Sequence, residues 1–258
     1  MKTTRKLLRS AAVQAFQMVD RLRTTPHGYI LILSHMRSGS SLLLHLLLTS
    51  SEINGCGERN TTYERQTDLT LLAIKSMSAR QQSLLANYSA DQINHTRFVK
   101  SEDLLLLPSV YPIILTREPK GAIESMVDVL GRFYDFDIND ALAHYRERLP
   151  TLARYAELLQ SHGRMLSLTY DELVHETDVS LVRIRSYLGL QSELSSRYST
   201  FDFTGKRGDP SPRIQSGKVL GESKRYLDVI SSTDLRQLTE LYDTCHAAIR
   251  TSRALSSD

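Results

Sequence analysis

The segment from Ser34 to Ser41 concentrates groups that bind anions. It reads Ser-His-Met-Arg-Ser-Gly-Ser-Ser, so four hydroxyls and the guanidinium of Arg37 lie within eight residues. An apolar run suited to a strand (29–33) precedes it, and a leucine-rich run suited to a helix (42–48) follows it. A strand, a tight turn and a helix point backbone N–H groups and the positive end of a helix dipole at one spot. We therefore expect this loop to bind a phosphate- or sulfate-like group.

The loop lacks the residues of an ATP- or GTP-binding P-loop. That motif needs two glycines separated by four residues and followed by Lys and then Ser or Thr. Here Gly39 is alone, no lysine follows it, and Arg37 precedes it. An ATP-dependent kinase is therefore disfavoured. A capped helix after a core strand, with no ligand, is the alternative.

A second cationic residue follows another predicted strand. Residues 111–116 are apolar, Arg117 comes next, and Pro119 favours the first turn of a helix that we expect to reach about residue 130. Ser125 lies eight positions after Arg117. An arginine at a strand end and a serine two turns into the helix can reach the same phosphate, and arginine binds it through a bidentate fork.

Predicted strands alternate with predicted helices along the chain. Beside the two strands above, we expect strands at 52–58, 96–100 and 164–169, and helices at 64–88, 138–161, 170–190 and 233–253. This alternation predicts an α/β fold of three layers, α/β/α, with a mostly parallel central sheet of about five strands, similar to P-loop nucleotide-binding proteins. We expect a single domain over residues 1–258, with a basic helix at 1–25 and a polar covering loop at 191–223.

In such a sheet, ligands bind beyond the carboxyl ends of the strands. The groups expected there, beside the anion-binding loop and Arg117, are Glu58, Lys100, Glu102 and Tyr170. The sequence therefore gathers cations and carboxylates at one edge.

Composition excludes several classes of function. Net charge is only +3, so we expect no nucleic-acid partner, and Cys56 and Cys245 provide neither a disulfide framework nor a metal-binding spacing.

We find no secretory signal and no membrane span and expect a cytoplasmic protein. The basic N-terminal helix should pack on the domain, with an interfacial helix at a membrane as the disfavoured alternative. The oligomeric state stays open.

Three ordered segments resemble the sulfotransferases that use 3′-phosphoadenosine 5′-phosphosulfate (PAPS). Arg37-Ser-Gly-Ser-Ser resembles their 5′-phosphosulfate loop, and Arg117-Glu-Pro through Ser125 resembles their 3′-phosphate segment. Residues 166–174 and 181–190 look like the family's L-x-Y-E-D-L and F-L-G-L signature, in which Tyr170 matches a tyrosine near the adenine. The resemblance covers residues 29–190 and implies PAPS as cofactor and 3′,5′-ADP as product.

The resemblance also implies which residues bind the cofactor. The segment 208–218 is reminiscent of a cofactor-covering loop, where Lys218, or alternatively Lys206, would contact the 3′-phosphate. We expect no metal, because the sequence holds no group of residues suited to Mg²⁺. The residues that we expect to bind the cofactor are Arg37, Ser38, Gly39, Ser40, Ser41, Arg117, Ser125, Tyr170 and Lys218.

For catalysis we expect Glu58 as the base and Lys100 as proton donor or electrostatic clamp. Glu58 lies 21 residues after Arg37, in a context similar to the catalytic Glu of tyrosylprotein sulfotransferases. Glu102 is the rival base, because Lys100-Ser101-Glu102 resembles the Lys-Thr-His of cytosolic members with Glu in place of His. We read His35 as orienting or incidental.

The acceptor is a hydroxyl or an amine, and we favour a glycan or a small molecule over a peptide. A non-catalytic nucleotide-binding protein on the same fold is the main alternative function.

Overall fold

The computed structural model describes residues 2–78, 86–206, 212–221 and 228–254. Its strands are β1 (Gly28–Ser34), β2 (Ile53–Gly55), β3 (Tyr88–Ile93), β4 (Val110–Thr116) and β5 (Leu166–Thr169). Its α-helices are α1 (Lys2–Arg21), α2 (Ser40–Leu47), α3 (Gln66–Met77), α4 (Pro119–Leu130), α5 (Ile138–Gln160), α6 (Tyr170–His175), α7 (Thr177–Leu188) and α8 (Ser232–Ala254).

The strands form one parallel sheet in the order β2-β3-β1-β4-β5. Every residue of β1 is buried, which explains why this strand reads as a continuous apolar run. From β1 the chain crosses to β2 at one edge of the sheet, and from β3 it passes β1 to reach β4 on the other side, so the connections on the two sides of β1 run in opposite directions. Ligands of open parallel sheets bind at such a switch point. The predicted α/β fold with five parallel strands is confirmed.

Helices cover both faces of the sheet, as the alternation of side chains in β1 requires. Leu31 and Leu33 face a cluster that includes residues of α3, α4, α5 and α8. Ile30 and Ile32 face a second cluster with residues of α2, α6 and α7. Each fully buried aliphatic side chain contributes about 1.5–3 kcal/mol, so this double core holds the carboxyl ends of the strands rigidly in register.

Helix α1 packs on the domain through one face, as the sequence predicts. Val13 is buried, and the ring of Phe16 lies 5.4 Å from that of His27 in an edge contact. The carboxylate of Asp20 accepts a hydrogen bond from the backbone N–H of His27 at 2.8 Å, which ties the end of the helix to the start of β1. Among the described helices, none has the length and apolar character needed to cross a bilayer.

The third strand does not lie where the sequence predicts it. Residues 96–98 form a 3₁₀ turn. The strand is instead β3 at Tyr88–Ile93, which begins at the last residue of the helix predicted for 64–88. The helix α3 ends at Met77, and residues 79–85 lie outside the described residues. Hydropathy does not reveal β3, because the strand contains the buried polar residues Asp91 and Gln92. Those groups are satisfied only by tertiary partners, so hydropathy gives no sign of the strand.

Candidate functional site

The loop between β1 and α2 has the geometry of an anion cradle. Arg37 and Gly39 both adopt positive φ angles, +61° and +94°, and Gly39 caps α2. The hydroxyl of Ser38 is buried and lacks a hydrogen-bond partner among the described residues. An unpartnered buried donor beside a helix N-terminus fits the oxygen of a phosphate or sulfate.

The other loop hydroxyls are held by side chains of β3 and the residue after it. Ser40 Oγ donates to Asn94 Oδ1 at 3.1 Å, and Ser41 Oγ lies 3.3 Å from the amide of Gln92. Ser34 Oγ at the end of β1 donates to the same Asn94 oxygen at 2.6 Å. The predicted anion-binding loop is therefore fastened to the neighbouring strand through side chains.

Arg117, Ser125 and Tyr170 form a second wall beside this loop. Arg37 Nε donates to Ser125 Oγ at 3.0 Å, and Arg117 Nη1 donates to the backbone oxygen of Arg37 at 3.4 Å. The Arg117 guanidinium carbon lies 4.0 Å from the centre of the Tyr170 ring, a cation–π contact. The residues that the sequence assigns to the two ends of one nucleotide thus converge.

The start of α6 fixes Tyr170 over the loop. Thr169 and Glu172 form a capping box, in which Thr169 Oγ1 accepts from the Glu172 N–H and Glu172 Oε2 accepts from the Thr169 N–H. A Cβ added to Gly39 would lie 2.8 Å from the Tyr170 ring. Only glycine therefore allows this ring to close on the loop.

His35 links the loop to the end of β4. Its Nδ1 donates to the Met36 carbonyl at 2.9 Å, and its Nε2 accepts from the Arg117 N–H at 3.0 Å. Burial lowers the pKa of His35 to about 4, so the ring is neutral at pH 7 and keeps this tautomer. The sequence interpretation of His35 as an orienting residue agrees with this geometry.

Glu58 follows the carboxyl end of β2, and its carboxylate accepts a hydrogen bond from Asn94. Its side chain is nearly buried, at 9% exposure, and Asn94 Nδ2 donates to its Oε1 at 3.1 Å. Burial raises the pKa of Glu58, while the Asn94 hydrogen bond lowers it. Within the described residues Oε2 has no hydrogen-bond partner. The carboxylate can therefore accept a proton through Oε2 while Oε1 stays fixed.

Asp91 supports the turn that carries Glu58. Its carboxylate accepts from Tyr63 Oη at 2.5 Å and from the backbone N–H of Arg59 at 3.3 Å. Complete burial raises the pKa of Asp91 to about 7. The backbone of Arg59, the residue after Glu58, is thus hydrogen-bonded to a buried side chain of β3.

Arg148 of α5 joins the ends of the two strands that flank the site. It is 1% exposed, Nε donates to the Ser34 carbonyl at 2.8 Å, and Nη2 donates to the Ile93 carbonyl at 2.8 Å. Burial lowers its pKa to about 10, which leaves it charged at pH 7. Because Ser34 precedes the anion-binding loop and Ile93 precedes Asn94, Arg148 sets the distance between both parts of the site.

Lys100 and Glu102 do not follow a strand, and that part of their predicted placement is wrong. Lys100 is exposed beyond the 3₁₀ turn, with its backbone N–H bonded to the carbonyl of Tyr63 at 2.9 Å. Glu102 forms an ion pair with Arg154 at 2.5 Å. The roles of Glu102 as rival base and of Lys100 in catalysis stay predictions.

Lys218 lies in a separate groove. Its backbone pairs with that of Arg197 in an isolated antiparallel β-bridge. The two residues line this groove together with residues 174–179 at the junction of α6 and α7. The contact of Lys218 with the 3′-phosphate stays a prediction. Lys206 is described and exposed, whereas residues 208–211 of the expected covering loop lie outside the described residues.

Sequence reasoning did not identify Asn94, Asp91 or Arg148. Asn94 would have followed from a correct β3, because it stands directly after that strand's last residue. For Arg148 the signal is a basic residue on the apolar face of α5, between Tyr145 and Leu152, both buried. Within the described ranges, no group of three or more His, Cys, Asp or Glu residues is arranged to hold a metal ion.

Solved structures share this fold. The chain is similar to the sulfotransferase domain from the curacin biosynthetic pathway, with TM-score 0.56, 14% identity and 85% of this chain and 99% of that one covered. It is similar to the sulfotransferase domain of the Synechococcus PCC 7002 olefin synthase, with TM-score 0.57, 19% identity and 86% and 96% covered. Mouse sulfotransferase SULT7A1, crystallised with PAP, matches with TM-score 0.50, 13% identity and 88% of each chain covered.

Sequence comparisons add nothing to this likeness, since no family model and no curated protein matches the chain. The chain has the fold of the sulfotransferases, as its three sequence segments predict.

Proposed function

We propose that the protein is a sulfotransferase that moves a sulfuryl group from PAPS to an acceptor hydroxyl or amine. The observation that carries the proposal is the convergence of Arg37, Arg117 and Ser125, joined by contacts of 3.0 and 3.4 Å, at the carboxyl end of β1. Two guanidiniums held together at a helix N-terminus favour a ligand with several negative charges. PAPS carries such charges at both its 5′-phosphosulfate and its 3′-phosphate.

The residues present fit this donor. Ser38 offers a buried hydroxyl without a partner among the described residues, and Gly39 lets the loop backbone and the Tyr170 ring come together. In this proposal the loop and Arg37 bind the 5′-phosphosulfate, Arg117 and Ser125 bind the 3′-phosphate, and Tyr170 lies near the adenine. The complex of mouse SULT7A1 with PAP supports the choice of nucleotide.

Glu58 is the proposed general base. Its Oε2 would take the proton of the acceptor hydroxyl, while the Asn94 amide holds Oε1 at 3.1 Å. A raised pKa makes the carboxylate a stronger base at neutral pH than an exposed glutamate. Asn94 also binds Ser34 and Ser40 of the loop, so one amide aligns the base with the donor cradle.

The cationic groups complete the proposed chemistry. Bound PAPS supplies the sulfuryl group, whose bond to the 5′-phosphate oxygen breaks as the acceptor oxygen bonds to sulfur, leaving 3′,5′-ADP. The loop N–H groups and Arg37 would stabilise the charge that develops on the leaving oxygen. A guanidinium does not give up its proton in proteins, so Arg37 acts as a clamp. Lys100 is kept as a proposed proton donor or second clamp.

For the acceptor we propose a glycan or small-molecule hydroxyl. Glu58 is only 9% exposed, and the ring of Phe203 lies 3.0 Å from the Cβ position of the preceding Gly57. A narrow approach of this kind favours a hydroxyl that projects from its carrier.

Nucleotide binding provides the first test. We expect calorimetry to show binding of 3′,5′-ADP and much weaker binding of 5′-AMP or of ATP with Mg²⁺. Arg117→Ala should weaken 3′,5′-ADP binding about 10- to 100-fold, since a hydrogen bond to a charged group contributes about 1.5–3 kcal/mol. Arg132→Ala is the matched control, because Arg132 lies after the same α4 and its one ion pair among the described residues is with Asp128. Preference for ATP with Mg²⁺ would instead indicate a kinase.

Transfer of labelled sulfate from PAPS to fractionated acceptors provides the second test. We expect Glu58→Gln to abolish transfer and to retain 3′,5′-ADP binding. Glu102→Gln is the control and should keep transfer near the wild-type level. The reverse pattern would move the base to Glu102, and binding of 3′,5′-ADP without transfer to any acceptor would indicate a non-catalytic nucleotide-binding protein.

A further inference from the structure

Helix α1 carries an apolar face that no part of the described chain covers. Leu8 is 67% exposed, Met18 70% and Val19 62%, and Leu22 directly after the helix is 80% exposed. The buried Val13 and the half-buried Phe16 are on the other side, where the helix packs on the domain. The helix is therefore held by one face and presents the other to its surroundings.

The exposed residues form a continuous stripe. At 100° per residue they span an arc of about 140° and a length of about 22 Å, whereas isolated apolar residues on a surface are ordinary. The residues of this exposed apolar stripe are Leu7, Leu8, Ala11, Ala12, Ala15, Met18, Val19 and Leu22.

The segment that carries the stripe has a strong excess of positive charge. Residues 2–23 contain six basic residues and one acidic residue, a net charge of +5, whereas the whole chain carries +3 and the rest therefore carries −2. Arg21 is exposed near one border of the stripe, whereas Arg9 lies on the packed side of the helix, where it pairs with Asp68 at 3.9 Å. Two copies meeting through this face would bring +5 against +5, which opposes self-association. An anionic surface with an apolar interior complements both properties.

We propose that the exposed apolar stripe of α1 docks the protein on a membrane surface rich in anionic lipids. The helix lies in the interface, the stripe enters the boundary between headgroups and acyl chains, and the basic residues bind the lipid phosphates. Val13 and Phe16 keep α1 on the domain during docking, so no unfolding is required. This inference is independent of the proposed sulfotransfer.

Sedimentation with lipid vesicles tests the proposal. We expect the full chain to bind vesicles of phosphatidylcholine with one third phosphatidylglycerol, to bind pure phosphatidylcholine weakly, and to lose binding as salt rises. The double variant Leu8→Gln with Val19→Gln should weaken binding to the anionic vesicles by roughly tenfold or more. Val179→Gln with Val182→Gln is the matched control on α7, because these valines are exposed to a similar extent, 57% and 67%, and it should bind like the wild type.

Three outcomes would overturn the proposal. They are absence of binding to anionic vesicles, equal binding to neutral and anionic vesicles, and unchanged binding of the Leu8→Gln, Val19→Gln variant. Light scattering without lipid tests for a second copy as occupant, and a dimer that the same variant disperses would also overturn it. All four substituted side chains are exposed, so unchanged thermal melting is expected and confirms that the variants fold.

Discussion

Replacing Asn94 by alanine should raise the pKa of Glu58 and loosen the anion-binding loop together. The Asn94 amide donates to Glu58 Oε1 at 3.1 Å and accepts from Ser34 Oγ at 2.6 Å and Ser40 Oγ at 3.1 Å. All four residues are buried, with Ser34 at 0% and Glu58 at 9% exposure. No other described side chain joins the candidate base to the loop.

The hydrogen bond to Glu58 favours its ionised form. A hydrogen bond to a charged group contributes about 1.5–3 kcal/mol, so its loss disfavours the ionised carboxylate. Without the bond, burial acts alone, and the pKa of Glu58 should rise further. Loss of the two serine bonds should lower the free energy of unfolding by about 2 kcal/mol.

Carbon-13 NMR of protein labelled at the glutamate carboxyl carbons measures this pKa without an acceptor. The signal of Glu58 is the one that Glu58→Gln removes. Asn139→Ala is the control, because the Asn139 side chain lies at the exposed start of α5 and, within the described residues, hydrogen-bonds to Asp137 alone. This variant should leave the titration unchanged. A Glu58 pKa that is the same or lower in Asn94→Ala would refute this account of the site.

Three further predictions follow from the geometry of the site. Gly39→Ala should weaken 3′,5′-ADP binding roughly tenfold in calorimetry, because its Cβ meets the Tyr170 ring at 2.8 Å; Gly163→Ala, with positive φ but open space, is the control, and equal binding in both would remove the clash from the argument. Arg148→Met should lower the free energy of urea unfolding by about 3 kcal/mol, because it abandons two buried strand-end carbonyls; a loss under 1 kcal/mol would contradict this. Asp91 has a folded-state pKa of about 7 against an ordinary 3.8, so the folded state binds the extra proton and the carboxyl loses stabilisation as pH rises from about 4 through 7. Unfolding measured across that range should show Asp91→Asn gaining stability relative to wild type, and a constant difference would refute it.

The placement of the residues around Arg37 and Arg117 could be predicted from the sequence because they lie on contiguous segments. Arg37 stands in a strand-turn-helix unit, and the step from Arg117 to Ser125 spans one strand end and its following helix. Local periodicity, proline and glycine determine such units. The predicted bounds of β1, α2, β4 and α4 accordingly match those of the structure within about one or two residues.

The other half depends on groups whose partners are distant in sequence. Strand β3 places Asp91 and Asn94 in the interior, and their stability there depends on Tyr63, Glu58 and the loop serines. A buried polar strand has no period that hydropathy detects. The third strand was therefore predicted at 96–100, where β-branched and aromatic residues occur, and Lys100 was wrongly predicted to end it.

Local sequence patterns predict the alternation of strands and helices, the loop of residues 34–41 after β1, and the positions of Arg37 and Arg117 after strands. Packing alone brings Asn94 between Glu58 and that loop, places Arg148 across the ends of β1 and β3, and leaves the apolar stripe of α1 exposed. Spacing along a chain determines which groups one element carries. Only packing determines which hydrogen bonds a buried group makes, because an unpaired polar group in the interior is too unfavourable to persist and the fold must bring its partner from elsewhere.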